Sequence, residues 1–247
     1  MKSKLRLLIL LSLIIFTTKA QDIPQHIAYF RIYDFLDELA NDGFIDINSS
    51  VKPYSRSYIA QKLVEAKQIN DLRTQQRNKL SKRQQAEIKF FMNEYALELN
   101  QLPESMLTIS NSNKGKLSFF PPAFHYMDSV FRARITPLLG MHLYFNQNGT
   151  INKRWYGAEF QGIIGKHISI YGSLRDISHT GDGLLSGSGY LNDEPGYEYT
   201  VGTDYSDSRG GIKYANEYFS IGLMKDNVVW GDNYHGSNIL SGRTPSF

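Results

Sequence analysis

The residues best suited to chemistry lie in the stretch WGDNYHGSNILSG, residues 230–242. His235 and Ser237 are two residues apart, so on a β-strand their side chains point to the same face. A histidine so placed can act as general base toward a serine hydroxyl, and the Asn238 amide could orient the imidazole. The stretch therefore admits a hydrolytic site. The pattern is short, and its meaning depends on the elements that would position it.

The first twenty residues have the pattern of a secretory signal peptide. Basic residues precede an apolar run at 7–16, which is too short to cross a bilayer as a helix. Small residues come just before Gln21, so we expect cleavage between Ala20 and Gln21. The segment 1–20 predicts export from the cytoplasm.

Charge and composition exclude several classes of function. Removal of residues 1–20 lowers the formal net charge from +3 to −1, because that segment has four basic and no acidic residues. A nucleic-acid partner is therefore not expected. The chain has no cysteine, which rules out a thiol nucleophile and a cysteine-ligated metal. The histidines lack zinc spacing, and EF-hand and phosphate-loop motifs are absent, so we predict no metal and no cofactor.

Residues 26–99 predict three amphipathic helices that pack as a small bundle. Gly43 is a helix stop, Ser55 a helix N-cap, and Ser81 with Gln84 forms a capping box. The expected apolar stripes are Tyr29, Ile32, Leu36 and Leu39, then Ile59, Leu63 and Ala66, then Ile88, Phe91, Tyr95 and Leu99.

After residue 117 the apolar residues recur with a period of about 2, which predicts strands of about 9–10 residues. The clearest hairpin turns at Gly165–Lys166. Its first strand carries Tyr156 and Phe160 on one face and Trp155 and Glu159 on the other. A further turn is expected at 137–139, and a long loop at 176–208.

These elements predict an α+β protein with a helical bundle followed by an antiparallel outer-membrane β-barrel of about seven or eight strands. Strand length and the contrast of short turns with a long loop favour the barrel over a soluble β-sandwich. The expected regions are a signal peptide at 1–20, a periplasmic helical bundle at 21–112 and a barrel part at 113–247. Residues 242–247 make a poor closing strand, so we expect an incomplete barrel and an N-terminal fragment.

Two segments resemble the capsule-assembly Wzi family, of the kind found in Bacteroidetes. The first is YDFLDELANDGFIDINSSVKPYSRSYIAQKLVEA at 33–66, and the second is IGLMKDNVVWGDNYHGSNILSGRTPSF at 221–247. In the second, the matching positions are Trp230, Gly231, Gly236, Leu240 and Ser241. The resemblance implies a Gram-negative outer-membrane barrel with its helical bundle in the periplasm. It also implies a surface lectin that holds capsular polysaccharide without catalysis.

A polysaccharide-binding protein needs aromatic faces and polar groups that recognise hydroxyls. The partners expected on this reading are capsular or other surface polysaccharide and outer-membrane lipid. The residues we expect to bind glycan are Trp230, Asp232, Asn233, Tyr234, His235 and Asn238.

Three other functions stay open. Outer-membrane phospholipases carry a His-x-Ser-Asn pattern that His235 and Ser237 reproduce, although Ile239 stands where that motif has glycine. A porin would line its pore with the polar strand positions. The resemblance also leaves open a gliding-motility-associated outer-membrane component, because distant relatives of the Wzi family in gliding bacteria have a different role. The positions expected to line a pore are Arg132, Arg134, His142, Glu159 and Arg175.

Overall fold

Three helices form the first part of the described chain. The computed structural model describes residues 23–27, 29–48, 50–73, 79–104, 107–112, 114–147, 149–182, 204–216 and 218–231, and the backbone of 240–241. Helix α1 spans Phe30–Asn41, α2 spans Arg56–Leu72 and α3 spans Lys82–Glu94. The predicted bundle of three helices is confirmed over these residues.

Three helix ends are those that the sequence predicts, whereas α3 ends at Glu94, before the expected stripe residues Tyr95 and Leu99. Gly43 adopts a φ of +70° after α1, and the Phe44 N–H donates to the Leu39 carbonyl at 2.9 Å. The Ser55 hydroxyl accepts the N–H of Tyr58 at the start of α2. Ser81 and Gln84 form a reciprocal capping box at the start of α3. Each of these bonds satisfies backbone groups that a helix terminus otherwise leaves without partners.

The apolar stripes meet in one core that includes all three helices. Tyr29 is an exception, because it lies before α1 and directs its hydroxyl to Glu159 instead of the bundle core. Leu99 only packs against the edge of this core. The buried members of the predicted stripes are Ile32, Leu36, Leu39, Ile59, Leu63, Ala66, Ile88, Phe91 and Tyr95.

Within the described residues an antiparallel sheet of eight strands follows, and neighbours in the sheet are also neighbours in sequence. This confirms the α+β class and the antiparallel pairing. A separate short strand, β1, spans Val51–Lys52 between α1 and α2. The sheet consists of β2 Leu107–Ser112, β3 Gly115–Phe120, β4 Ala123–Met127, β5 Phe131–Asn146, β6 Gly149–Ile164, β7 Ile168–Thr180, β8 Asp204–Ala215 and β9 Ser220–Lys225.

Two details of the predicted strands are wrong. The turn expected at 137–139 does not exist, because β5 continues through Pro137, which pairs with Ala158. Strand β4 pairs with β5 only as far as Ile135, so beyond that point β5 has β6 as its partner among the described strands. Proline is tolerated where one side of a strand makes no ladder bonds. Because β5 continues past Pro137 and pairs with β6 throughout, both strands are 16 residues long instead of the expected 9–10. The connection expected at 176–208 is also shorter, because β7 extends to Thr180 and β8 begins at Asp204.

The two faces of the sheet have opposite character, and the polar face is the buried one. The face that packs on the bundle, the covered face, has buried polar side chains; these are Ser118, His125, Arg132, Arg134, Thr136, Lys153, Gln161, Ser169, His179, Asp207 and Arg209. The opposite, exposed face carries Phe124, Ile135, Leu139, Met141, Leu143, Phe145, Tyr156, Leu174, Ile212, Tyr214, Ile221 and Leu223. A protein surrounded by water has the reverse arrangement.

After β9 the chain leaves the large sheet and returns to the bundle. Strand β10, Val229–Trp230, pairs with β1, and β11, Leu240–Ser241, pairs with β10. The Gly231 N–H donates to the Ser50 carbonyl at 2.8 Å, and Gly231 has a φ of +112°. The Trp-Gly pair thus ends a short strand that belongs to a small sheet attached to the bundle.

Candidate functional site

The bundle is held to the covered face by an ion pair and a further hydrogen bond, both from arginines of β5. Arg134 on β5 makes two hydrogen bonds to the Glu94 carboxylate at the end of α3, one of them at 2.8 Å. Arg132, two residues earlier, donates to the Asn100 side-chain oxygen. Arg134 is 5 % exposed. A buried guanidinium is stable only with such partners, so the docking position of the bundle is well specified.

A second buried arginine ties the N-terminal segment 23–27 to α2 and α3. Arg56 donates to Glu98 at 2.6 Å, to the Gln25 side chain at 2.8 Å and to the Glu94 carbonyl at 2.9 Å. Its guanidinium also lies 4.4 Å from the Tyr95 ring centre. Burial opposes the charge on Arg56, but Glu98, Tyr95 and Glu94 together outweigh it and leave the pKa of Arg56 above its ordinary value. Arg56 therefore stays charged at any accessible pH.

Where the bundle ends, a cleft of about 300 Å³ remains between the segment 23–26 and the covered face. We call it the Trp155 cleft. It is bounded by the segment 23–26 on one side and by β5, β6, β7 and β8 on the other. The side chains that define it are Tyr29, Phe30, Leu138, Trp155, Tyr171, Glu159, Arg175, Arg209 and Asp226.

Strand register explains why these residues meet. Glu159 pairs with Ser173, and Ser173 pairs with Arg209, so the three form one row across β6, β7 and β8. Arg175 lies in the next row on the same face and Trp155 in the row after that, because side chains of a strand alternate between faces.

Aromatic rings form one wall of the Trp155 cleft. The Trp155 indole lies edge-to-face with the His142 ring, with ring centres 4.9 Å apart. Its six-membered ring lies against the backbone of Gly140, the cross-strand partner of Trp155. Tyr29 and Tyr171 contribute hydroxyl-bearing rings. The wall is therefore apolar with polar edges.

Carboxylates and guanidiniums form a charged wall beside Trp155, on the same face of the sheet. The Tyr29 hydroxyl donates to Glu159 at 2.9 Å, and the Gln161 amide also donates to Glu159. The Tyr171 hydroxyl donates to Asp226 at 3.1 Å.

The two arginines of this wall share one acid. Arg175 donates to Asp207 at 2.7 Å, and Arg209 donates to the same carboxylate through its Nε at 2.9 Å and through Nη2. Asp207 is 3 % exposed and lies outside the cleft lining. Asp207, which lies behind the cleft lining, thus neutralises part of the positive charge of Arg175 and Arg209.

The residues predicted to bind glycan are not those of the Trp155 cleft. Trp230 lies in β10 opposite Val51 and is 51 % exposed. The remaining predicted residues lie outside the described part of the chain, as do the signal-cleavage residues and the hydrolytic pair. They are Asp232, Asn233, Tyr234, His235, Gly236, Ser237, Asn238, Ala20 and Gln21.

The residues expected to line a pore divide into two groups. Arg132 and Arg134 contact the bundle, whereas Glu159, His142 and Arg175 line the cleft. Period-2 alternation already placed these side chains on one face of the sheet. The sequence offered no signal for Trp155 as a cleft residue beyond that shared face, because the position of the bundle decides which part stays open.

Comparisons of the chain with protein-family models, with curated proteins and with solved structures gave no match. In the described part of the chain, no group of His, Asp and Glu side chains is arranged to hold a metal ion. No described helix combines the length and the apolar character needed to cross a membrane.

Proposed function

We propose that this protein is an outer-membrane β-barrel protein that binds or helps to assemble capsular or other surface polysaccharide, without catalysis. In this proposal the eight-stranded sheet is part of the barrel wall. The exposed face contacts lipid, the covered face points to the barrel interior, and the helical bundle lies at the periplasmic end.

The observation that carries the proposal is the inverted polarity of the sheet. Exposed apolar side chains cover one face over the six adjacent strands β4 to β9, including Leu139 at 78 %, Leu174 at 58 % and Leu223 at 80 % exposure. A continuous apolar surface of this kind on a protein in water favours aggregation. In a bilayer it is the expected outer surface of a barrel, whose interior is polar.

The contacts of the covered face favour a binding protein over an open pore. A pore needs its charged lining to face water, but Arg132 and Arg134 are buried against Asn100 and Glu94. Beside them the Trp155 cleft combines aromatic rings with carboxylates. That combination is typical of sites that recognise hydroxyl-rich ligands.

The experiment that tests this function is deletion of the gene in its own bacterium, followed by restoration with its full reading frame. We expect the deletion strain to release its surface polysaccharide into the medium and the restored strain to retain it. We also expect the protein in the outer-membrane fraction. A deletion strain that keeps its surface polysaccharide would overturn the proposal.

A further inference from the structure

We infer that the Trp155 cleft is a binding site for an uncharged sugar, and that one pyranose ring stacks on the Trp155 indole. The inference rests on the proposed function, which it makes specific by naming a place and a class of sugar. It differs from the prediction from sequence, which placed glycan binding around Trp230.

The first argument is the aromatic wall. Sugar rings present apolar C–H faces that pack on aromatic rings, while their hydroxyls need polar partners at the edges. Gly140 supports one side of the indole and His142 contacts it edge-to-face. Because both of these β5 residues contact the indole, its orientation is defined before a ligand arrives. Such pre-organisation reduces the entropy lost on binding.

The second argument is acceptor capacity. Each carboxylate oxygen can accept two hydrogen bonds. The two oxygens of Glu159 accept hydrogen bonds from the Gln161 amide and the Tyr29 hydroxyl. Asp226 accepts hydrogen bonds from the Tyr171 hydroxyl and the Asn227 N–H. These bonds orient both carboxylates and leave lone pairs that can accept sugar hydroxyls. Charge-assisted bonds of this kind are stronger than bonds between neutral groups.

The third argument is charge, and it selects the uncharged class. The guanidiniums of Arg175 and Arg209 already share the carboxylate of Asp207. The carboxylates of Glu159 and Asp226 line the cleft itself. A uronic acid would therefore bring its negative charge toward a group of three carboxylates and only two guanidiniums. An uncharged ring meets no such repulsion.

Size sets the length of the ligand. A cleft of about 300 Å³ is at the small end of the range for small-molecule sites. It suits one or two sugar rings, so the site would hold the end or a single unit of a longer polysaccharide.

Tryptophan fluorescence can test the inference directly, because the chain has only Trp155 and Trp230. The purified full chain in detergent is titrated to about 50 mM with glucose, galactose, mannose and N-acetylglucosamine, far above a millimolar dissociation constant. Glucuronate and galacturonate serve as the charged counterparts. We expect a saturable change with at least one uncharged sugar and at least tenfold weaker binding of its uronate.

Variants then locate the response. Trp155→Phe should abolish the fluorescence change. If the site lay around Trp230, the change would survive in Trp155→Phe and vanish in Trp230→Phe, and the inference would be wrong. Glu159→Gln should weaken binding at least tenfold. Tyr29→Phe removes a hydrogen bond to Glu159 but keeps its carboxylate. If the carboxylate is the acceptor for the sugar, Tyr29→Phe should bind more tightly than Glu159→Gln; equal losses would indicate a local rearrangement instead.

Each outcome bears on the inference separately from the proposed function. The absence of any saturable response to the four uncharged sugars, or tighter binding of a uronate, overturns the inference. If the deletion strain nevertheless loses its surface polysaccharide, the proposed function stands. If Trp155 reports a sugar but the deletion strain keeps its polysaccharide, the inference stands and the proposed function fails.

Discussion

The indole ring of Trp155 lies against the backbone of Gly140, its cross-strand partner on β5. A Cβ atom built on Gly140 would lie 2.0 Å from Cζ2 of the indole, where no side chain can fit. The orientation of the main aromatic side chain of the cleft therefore depends on the absence of a side chain on the neighbouring strand.

Gly140→Ala should displace the indole and disrupt the Trp155 cleft. We expect a shift of the tryptophan emission maximum, loss of any sugar response and a cost of about 1–3 kcal/mol in the free energy of unfolding, as for other overpacked sites. Gly172→Ala is the matched control, since an added Cβ there meets only the Arg209 carbonyl oxygen at 4.0 Å. Equal effects of the two substitutions would refute this account of Gly140.

Glu94→Ala should loosen the bundle from the covered face. The substitution leaves Arg134, which is 5 % exposed, without its carboxylate partner. Removal of one partner of a buried ion pair costs about 3–5 kcal/mol, which chemical denaturation can measure.

The matched control for Glu94→Ala is Glu104→Ala. Glu104 pairs with Lys89 at 2.9 Å, but both side chains are more than half exposed. Exposed ion pairs contribute at most about 1 kcal/mol. The double variant Glu94→Met with Arg134→Met should recover part of the lost stability. A Glu94→Ala variant as stable as Glu104→Ala would contradict the assigned role of the buried pair.

Asp128, in the turn between β4 and β5, should make stability depend on pH in the acid range. The N–H groups of Phe131 and Val130 and the Tyr126 hydroxyl donate to its carboxylate, and they hold the pKa of Asp128 below its ordinary value of 3.8. A lowered pKa in the folded state gives stability that is complete above the unfolded pKa and is lost as pH falls through the folded value.

The measurement is the unfolding midpoint of the native protein and of Asp128→Asn between about pH 7 and pH 3. Asp128→Asn should be less stable near neutral pH, and the difference should shrink below the ordinary aspartate pKa. A difference that stays constant over the whole range would show that the carboxylate charge has no part in this turn.

Local signals in the sequence predicted the helices well, because the residues that end them act on their own backbone. Gly43, Ser55 and the Ser81–Gln84 capping box need no information about distant parts of the chain. Pro137 shows the limit of that approach. Proline usually marks a turn, but here it lies in a long strand whose partner on one side has already ended.

The candidate site was less predictable, since it depends on contacts between segments far apart in sequence. Alternation placed Trp155 and Glu159 on one face, but it did not show which positions the bundle would cover. The position of Trp230 depends on pairing with Val51, which belongs to the helical part of the chain. No local pattern around residue 230 predicts that partner.

The proposed contact of the exposed face with lipid predicts different outcomes for two leucines of nearly equal exposure. Leu139, on the exposed face of the sheet, is 78 % exposed, and Leu72, at the end of α2, is 80 % exposed. In water, arginine at either position would change stability little, because neither side chain is packed. In a bilayer, Leu139→Arg places a charge in hydrocarbon at a cost of about 2–4 kcal/mol near the midplane. We therefore expect Leu139→Arg to reduce the amount of folded protein in the outer-membrane fraction and Leu72→Arg to leave it unchanged. Equal amounts of both variants in that fraction would remove the main support for the barrel, because the inverted polarity of the sheet would then need another explanation.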